Sequence, residues 1–566
     1  MRTRKIVFAC GVLASTLFLL AGPVAAQTPN HKHYEALEEA ARPGPGGILA
    51  PRLQRLGNHA FPVSCKGERV QEYFNQGVIL AYGFNHAEAA RAFAEVARRA
   101  PDCAMAYWGH ALVLGPNINA PMNPDDEPKA YELIQKAVSL KAKAAPRERD
   151  WIDALAKRYT GKAEDRKAAD AAFADAMRQL AKRYPDDLDA ATMFAESLMD
   201  LRPWNYWTRD NKPYPGTDEI VAALEKVIAK DPKHPGALHY WIHVWEPTKT
   251  PERAEAAADA LLPLAPAAGH LVHMPGHIYQ RVGRYEDNIK ANQMAVAADE
   301  DYITQCRAQG IYPLGYYPHN IHFIWFAASM AGQSKLAIDA ARKTASQIPH
   351  DALQQLPFLQ GFLVVPDYAL VRFGKCDEIL ALPAPHYDSL FTRGVRHYAR
   401  ASAFIGKGKL DEAQKELDAL KKIVADPELP KLPASFSSNN AKDILSIAPE
   451  VVAGELAAKK GNFDAAVAHL SRAVWLQDSL IYTEPDDWHY PVRHSLGAVL
   501  LQAGRAREAE AIYWEDLSRK PENGWSLFGL MQALKAQGKN DEAAAVEKRF
   551  QKAWANADVK LAASRF

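Results

Sequence analysis

The residues best equipped for chemistry are histidines at helical spacing. His239 and His243 stand four apart, with Glu246 three further on; His270, His273 and His277 follow, and His319 and His322 close the series. Pro232, Pro266 and Gly283 fit helix starts at Pro235 and Gly269, while Gly332 and Pro349 fit a third at Pro318. Counted from those starts, the histidines fill second, fifth and ninth places, which at 100° per residue lie within about 80° of one another. The opposite side holds Leu238, Trp241, Ile242 and Trp245, then Val272, Pro275, Gly276 and Tyr279, then Ile321, Ile324, Trp325 and Ala328. The packing face is therefore apolar and accounted for, and seven histidines share the other face.

A histidine pair at i,i+4 chelates one cation from a single helical face, and neutral imidazole suits zinc, copper, iron or nickel. Imidazoles without thiolates favour copper or zinc over magnesium or calcium, with iron behind them. His270, His319 and His322 are expected to complete that sphere, build a second one or orient the ligands. Where a water fills the last metal position, the expected general base is Glu246, or Glu196 at the ninth place of the preceding helix counted from Leu188.

Two aromatic-rich segments bracket these helices. Trp204, Tyr206 and Trp207 belong to RPWNYWTRDNKPYPG, and Tyr312, Tyr316 and Tyr317 to the stretch 303–317. They are expected either to lid a small-molecule pocket or to anchor their own loops. Tyr82, Asn85, His86, Asn117 and Asn119 are candidates for closing one end of the groove. His489 and His494 lie several repeats away, and spacing alone does not place them. His59, His110, His234, His350, His386, His397 and His469 read as satisfied core or surface residues. No phosphate-cradling loop, H-E-x-x-H or G-x-S-x-G occurs, so nucleotide hydrolysis, zincin proteolysis and serine esterase chemistry lose their usual signatures.

The elements that must position these residues repeat. AGRAREA, QGKNDEA, KGNFDAA and KGKLDEA recur, with Gly504 and Gly538 34 residues apart. A 34-residue period with Gly at the turn, Ala in the second helix and Pro after it is the helix–turn–helix tetratricopeptide pattern, which Gly77, Ala89, Phe93 and Pro101 also show. The chain thus resembles the tetratricopeptide-repeat superfamily over most of its length. More narrowly, GFNHAEA, CAMAYWG, GPNIN, HLVHMPGHIY and YYPHNIHF resemble a family of secreted bacterial repeat proteins. The resemblance implies an all-α solenoid of stacked helix pairs whose first helices line a concave groove, so the histidines are expected to face that groove.

Charge and composition exclude several partners. With 68 Lys+Arg against 67 Asp+Glu, 48% hydrophobic and 24% charged residues, the 566-residue chain offers no footprint for nucleic acid or an anionic membrane surface. Residues 1–26 read as a cleaved secretory signal, with Arg2, Arg4 and Lys5 before the apolar run 6–20 and small residues before Gln27. No other stretch is long enough to span a membrane. A periplasmic or secreted location follows, and it permits disulfides. Cys65 and Cys103, 38 residues apart and so close to one repeat, are the expected pair. Residues 27–62 read as an extended arm, 63–350 as repeats carrying the groove, and 351–566 as C-terminal repeats.

These readings converge on a polyhistidine transition-metal site, with a metal-dependent oxidoreductase acting on a small organic substrate favoured over a hydrolase. The alternatives are a periplasmic scaffold that takes a protein or peptide partner in the same groove, and metal storage or delivery without catalysis.

Overall fold

A computed structural model describes residues 47–306, 311–435 and 437–566. The expected leader lies outside the described residues, as does the first part of the arm. Among the described residues the chain is helix and turn, with three isolated bridges in place of any strand. Helix–turn–helix pairs follow one another, beginning with Val70–Tyr82 and His86–Arg99 and ending with Gly524–Ala536 and Asn540–Ala553. This is the all-α tetratricopeptide solenoid that the period predicts. No described helix is long and apolar enough to cross a membrane.

The repeat signature is a packing rule. Gly77 and Gly109 both lie against the Phe93 ring, where an added Cβ would stand 2.6 Å and 2.5 Å from its carbons. A side chain at either place would drive the first helices away from the second. The signature turn glycines Gly408, Gly461, Gly504 and Gly538 sit at φ of 72° to 74°, which a residue with a Cβ adopts only under strain.

The chain divides into two compact units. The first runs to Ile278 and includes Met294–Tyr317; the second comprises Tyr279–Gln293 and Pro318–Phe566. In the first, Phe61, Phe74, Trp108 and Trp151 form an aromatic core. Cys65 and Cys103 are disulfide-bonded with Cα atoms 5.4 Å apart, tying the approach of one helix pair to the start of the next. The described part of the arm is strapped along the helix Val70–Tyr82. Leu53 N–H donates to Gln76 Oε1 at 2.9 Å, and Phe61 N–H donates to Asn75 Oδ1 at 3.1 Å. In the second unit Trp488, Trp525, Tyr398 and Tyr513 are fully buried.

Candidate metal centre

The helix Pro235–Trp245 is positioned by its own start. Pro235 occupies the first turn, where no intrahelical partner for its nitrogen is needed, and the His234 Nδ1 accepts from Ala237 N–H at 3.2 Å. Expected as one helix, the segment from Gly269 is two, Gly269–His273 and Pro275–Arg281, because Pro275 has no N–H to continue the ladder. The register survives the break, since His277 N–H donates to Met274 O at 3.1 Å.

Both i,i+4 pairs close on themselves. His239 Nε2 lies 2.9 Å from His243 Nε2, and His273 Nε2 lies 2.8 Å from His277 Nε2. Ring centroids step around the group at 5.0 Å for His239–His270, 5.6 Å for His270–His273 and 6.1 Å for His243–His277. Nitrogens of His239, His243 and His270 all lie within 4.8 Å of one another. The first unit therefore brings five of the seven histidines together. They are 0–4% exposed, so they form a buried cluster and not the wall of an open groove.

Buried partners fix the tautomers. The Tyr82 carbonyl can only accept, so His239 Nδ1, 2.6 Å away, carries the hydrogen. His243 Nδ1 is 2.7 Å from Glu246 Oε1, and His277 Nδ1 is 2.6 Å from Glu246 Oε2. Burial pushes the Glu246 carboxyl up, but His277 and His243 outweigh it and hold it down at about 2, so it is an ionised acceptor. His239 and His243 therefore each present a bare Nε2. The result is two lone pairs facing each other at 2.9 Å between His239 and His243.

Two lone pairs at that distance repel unless a cation sits between them. A proton is disfavoured. Burial, with His243 beside it, holds His239 well below its usual value, and burial holds His243 down against the pull of Glu246. A metal ion fits, because nitrogens 2.8–2.9 Å apart share a point about 2.0–2.1 Å from each, the zinc–imidazole distance. His270 supplies a third donor: it is 2% exposed and neither ring nitrogen has a hydrogen-bond partner among the described residues. Burial, then the neighbouring imidazoles, keeps it neutral.

The remaining sequence candidates fall in different places. Glu246 stands behind the imidazoles, hydrogen-bonded to His243 through Oε1 and in ion-pair contact with His277 through Oε2, so it orients ligands and is not placed as a base toward water. Glu196 is not in the cluster. It shares a network with Tyr240, Asp200 and Arg158, and burial first, then Asp200, pushes it up to about 8. Trp204 stands edge-on to His243 at 5.0 Å, 38% exposed and at a φ of 63° that a tryptophan rarely adopts. Tyr316 stands edge-on to His270 at 4.8 Å. Tyr206 and Trp207 anchor the loop: Trp207 Nε1–H donates to Val244 O at 2.8 Å, and Thr217 Oγ1 donates to the Tyr206 carbonyl at 2.7 Å. Tyr317 donates to Glu300 Oε1 at 2.8 Å. His319 and His322 belong to the second unit, where His322 stacks on Trp325 at 4.8 Å.

Sequence reasoning missed one grouping. Asp189 Oδ1 accepts from Tyr82 Oη at 2.7 Å and lies 2.9 Å from His59 Nε2 and 3.3 Å from His234 Nε2. The three could hold an ion by spacing. The Ala237 N–H on His234 Nδ1, however, puts the hydrogen on Nε2, so that nitrogen faces Asp189 as a donor. The group braces Tyr82, whose carbonyl holds His239.

His86 and His110 give a pH expectation. Burial first, then Arg158, pushes His86 down to about 4; burial first, then Lys129, does the same to His110. Both folded values lie below the unfolded one, so between about pH 6.5 and 4 these two sites bind more protons in the unfolded chain, and their contribution to stability falls as pH falls. Urea unfolding at pH 7, 5.5 and 4.5 is expected to show His86→Gln losing less stability than the wild type as pH falls, a difference that isolates His86 from carboxyls titrating in the opposite sense. An unchanged slope in the variant would remove His86 from the account.

No family model matches the chain, and no curated relative matches it. Solved structures similar to it include the APC/C hetero-tetramer Cut9–Hcn1, at 13% identity over 84% of this chain and 78% of that one with a TM-score of 0.29. The human IFIT1 dimer with m7Gppp-AAAA matches at 12% identity over 86% and 90%, with a TM-score of 0.30. Yeast Tom70 matches at 13% identity over 85% and 90%, with a TM-score of 0.25. The fold assignment rests on the chain's own helix pairing, and the reading of the site on its own geometry.

Proposed function

We propose that this protein binds a transition metal, copper or zinc, in the buried imidazole cluster of its first unit. The observation that carries the reading is the opposition of the His239 and His243 Nε2 lone pairs at 2.9 Å, each imposed by a buried acceptor on the other ring nitrogen. His270 and the His273/His277 pair supply further donors, and Glu246 ties one imidazole of each pair to the same carboxylate. The basic, apolar leader of the sequence supports a periplasmic or secreted setting for this centre.

Oxidation or reduction of a small organic molecule is the extension of this reading, supported by Trp204 and Tyr316 against the imidazoles. A metal-loaded protein that turns over no such molecule would reduce the reading to storage or delivery. A protein or peptide partner held by these histidines is disfavoured, because side chains 0–4% exposed are not available as contact residues.

The test is elemental analysis of untagged protein beside the His273→Ala/His277→Ala double variant, with circular dichroism to confirm that both are folded. Near-stoichiometric copper or zinc that the double variant loses in whole or part supports the proposal. No metal after reconstitution with either ion sinks it.

A further inference from the structure

An ion held among buried imidazoles needs a way in and out. Phe84, Tyr240 and Tyr316 all stand against these rings, and all three are themselves buried. Trp204 differs. It meets His243 edge-on at 5.0 Å and is 38% exposed, so one side of the indole touches the cluster and another touches water. The segment that carries it, residues 201–205, is exposed throughout.

The backbone beneath the indole is strained. Arg202 to Asn205 form a tight turn, in which Asn205 N–H donates to Arg202 O at 3.2 Å. Pro203 takes its second place and Trp204 its third, at a φ of 63°. A turn with Pro second and a left-handed third residue asks for Gly or Asn at that place, because a bulkier side chain is strained there. The loop beyond is pinned. Tyr214 N–H donates to Tyr206 O at 2.9 Å, Thr208 N–H to Lys212 O at 2.8 Å, and Lys249 N–H to Asn211 Oδ1 at 3.2 Å. Trp207 is tied to Val244, next to His243 on the same helix. The strain is therefore confined to the turn itself. Rotating the single peptide unit between Pro203 and Trp204 converts this turn into the commoner one, with a negative φ at the third residue and both ends left in place.

We propose that Trp204 is the gate of the metal centre. Seated, its indole covers the edge of His243; with the 203–204 peptide rotated, the ring leaves His243 and opens the cluster to solvent. The gate rests on the metal-binding reading above and adds to it the route of exchange. Backbone strain favours opening and the contact with His243 favours closure, so the turn is an element with two states. Removing the indole takes away no donor atom, so the gate governs the rates of loading and release and leaves affinity nearly alone.

Trp204→Gly and Trp204→Asn both suit the left-handed region and remove the ring, while Trp204→Phe keeps a ring against His243. The full chain is reconstituted with copper or zinc, mixed with excess EDTA, and desalted at timed intervals for elemental analysis, with circular dichroism to confirm the fold. Trp204→Gly and Trp204→Asn are expected to release and to load the ion at least about 10-fold faster than the wild type. Affinity is expected to stay within about threefold, and Trp204→Phe to exchange within about threefold of the wild-type rate. A second readout needs no metal. Diethylpyrocarbonate acylates bare imidazole nitrogens, and in the metal-free chain His243 is expected to react about 10-fold faster without the indole. His469, its side chain 43% exposed, is the internal standard. Wild-type exchange and acylation rates in the folded Gly and Asn variants overturn the gate and leave the metal centre standing. Faster release with unchanged loading overturns it too, since a gate speeds both directions. A wild-type chain that takes up neither ion sinks the metal-binding reading, and the gate with it.

Discussion

Protein carrying Glu246→Gln is expected to bind its metal about 10- to 100-fold more weakly than the wild type while keeping its fold. The reason is a proton count. The wild-type carboxylate accepts from His243 Nδ1 at 2.7 Å through Oε1, which leaves His243 Nε2 bare, and its Oε2 lies in ion-pair contact with His277 Nδ1 at 2.6 Å. A glutamine in the same place has one accepting oxygen and one donating nitrogen. The imidazole that meets the nitrogen must accept on Nδ1, which moves its hydrogen to Nε2 and removes it as a ligand. The variant also loses one negative charge beside the ion. Competition titration against a chelator of known affinity measures the loss, and circular dichroism verifies the fold. Wild-type affinity in Glu246→Gln would show that the carboxylate does not set the tautomers.

The histidine register was legible in the sequence because it is local. Spacing of three, four and seven residues fixes which side chains share a helical face, and both His pairs meet as that spacing requires. The same logic read the turn glycines Gly408, Gly461, Gly504 and Gly538, but Gly77 lies inside the helix Val70–Tyr82 against Phe93 and not at a turn. What spacing cannot show is what lies across the fold. His239 owes its tautomer to the Tyr82 carbonyl, 157 residues away in sequence, and Tyr82 is braced by Asp189 at a separation of 107. Burial was hidden for the same reason, since a face free of apolar residues on one helix can still be covered by an arm, a loop or the next helix pair. Glu196 shows the error most plainly: its place on the helix matches the histidines, but the carboxyl joins Asp200 and Arg158.

That acidic network sets the largest expected stability loss. Arg158 is 3% exposed, lies 3.0 Å from Asp170 Oδ1 by its Nε and 2.6 Å from Asp200 Oδ2 by its Nη2, and packs over the Phe173 ring at 4.7 Å. Burial raises Asp200 to about 6 even against this guanidinium, and burial followed by Asp200 raises Glu196 to about 8. Arg158→Met keeps most of the packing volume and removes the main charge that offsets these carboxyls, with Arg166 a smaller one beside Asp200. The expected cost is about 3–5 kcal/mol, the usual penalty for breaking one side of a buried pair. The sign of its pH dependence follows. Both folded values already lie above the unfolded ones, so the folded state holds extra protons and loses stability as pH rises from about 4 through 6 for Asp200 and from about 4.5 through 8 for Glu196. Without Arg158 both values rise further, so the variant is expected to lose more stability at pH 8 than at pH 5. Urea unfolding at the two values checks this. A second change, Asp200→Leu, is expected to restore much of the loss, because an apolar pair of similar volume needs no compensation. Equal losses at both pH values would mean that Arg158 acts through packing on Phe173 alone. Metal content is the independent control: it is expected to stay at the wild-type level in Glu196→Gln, whose carboxyl lies outside the imidazole cluster.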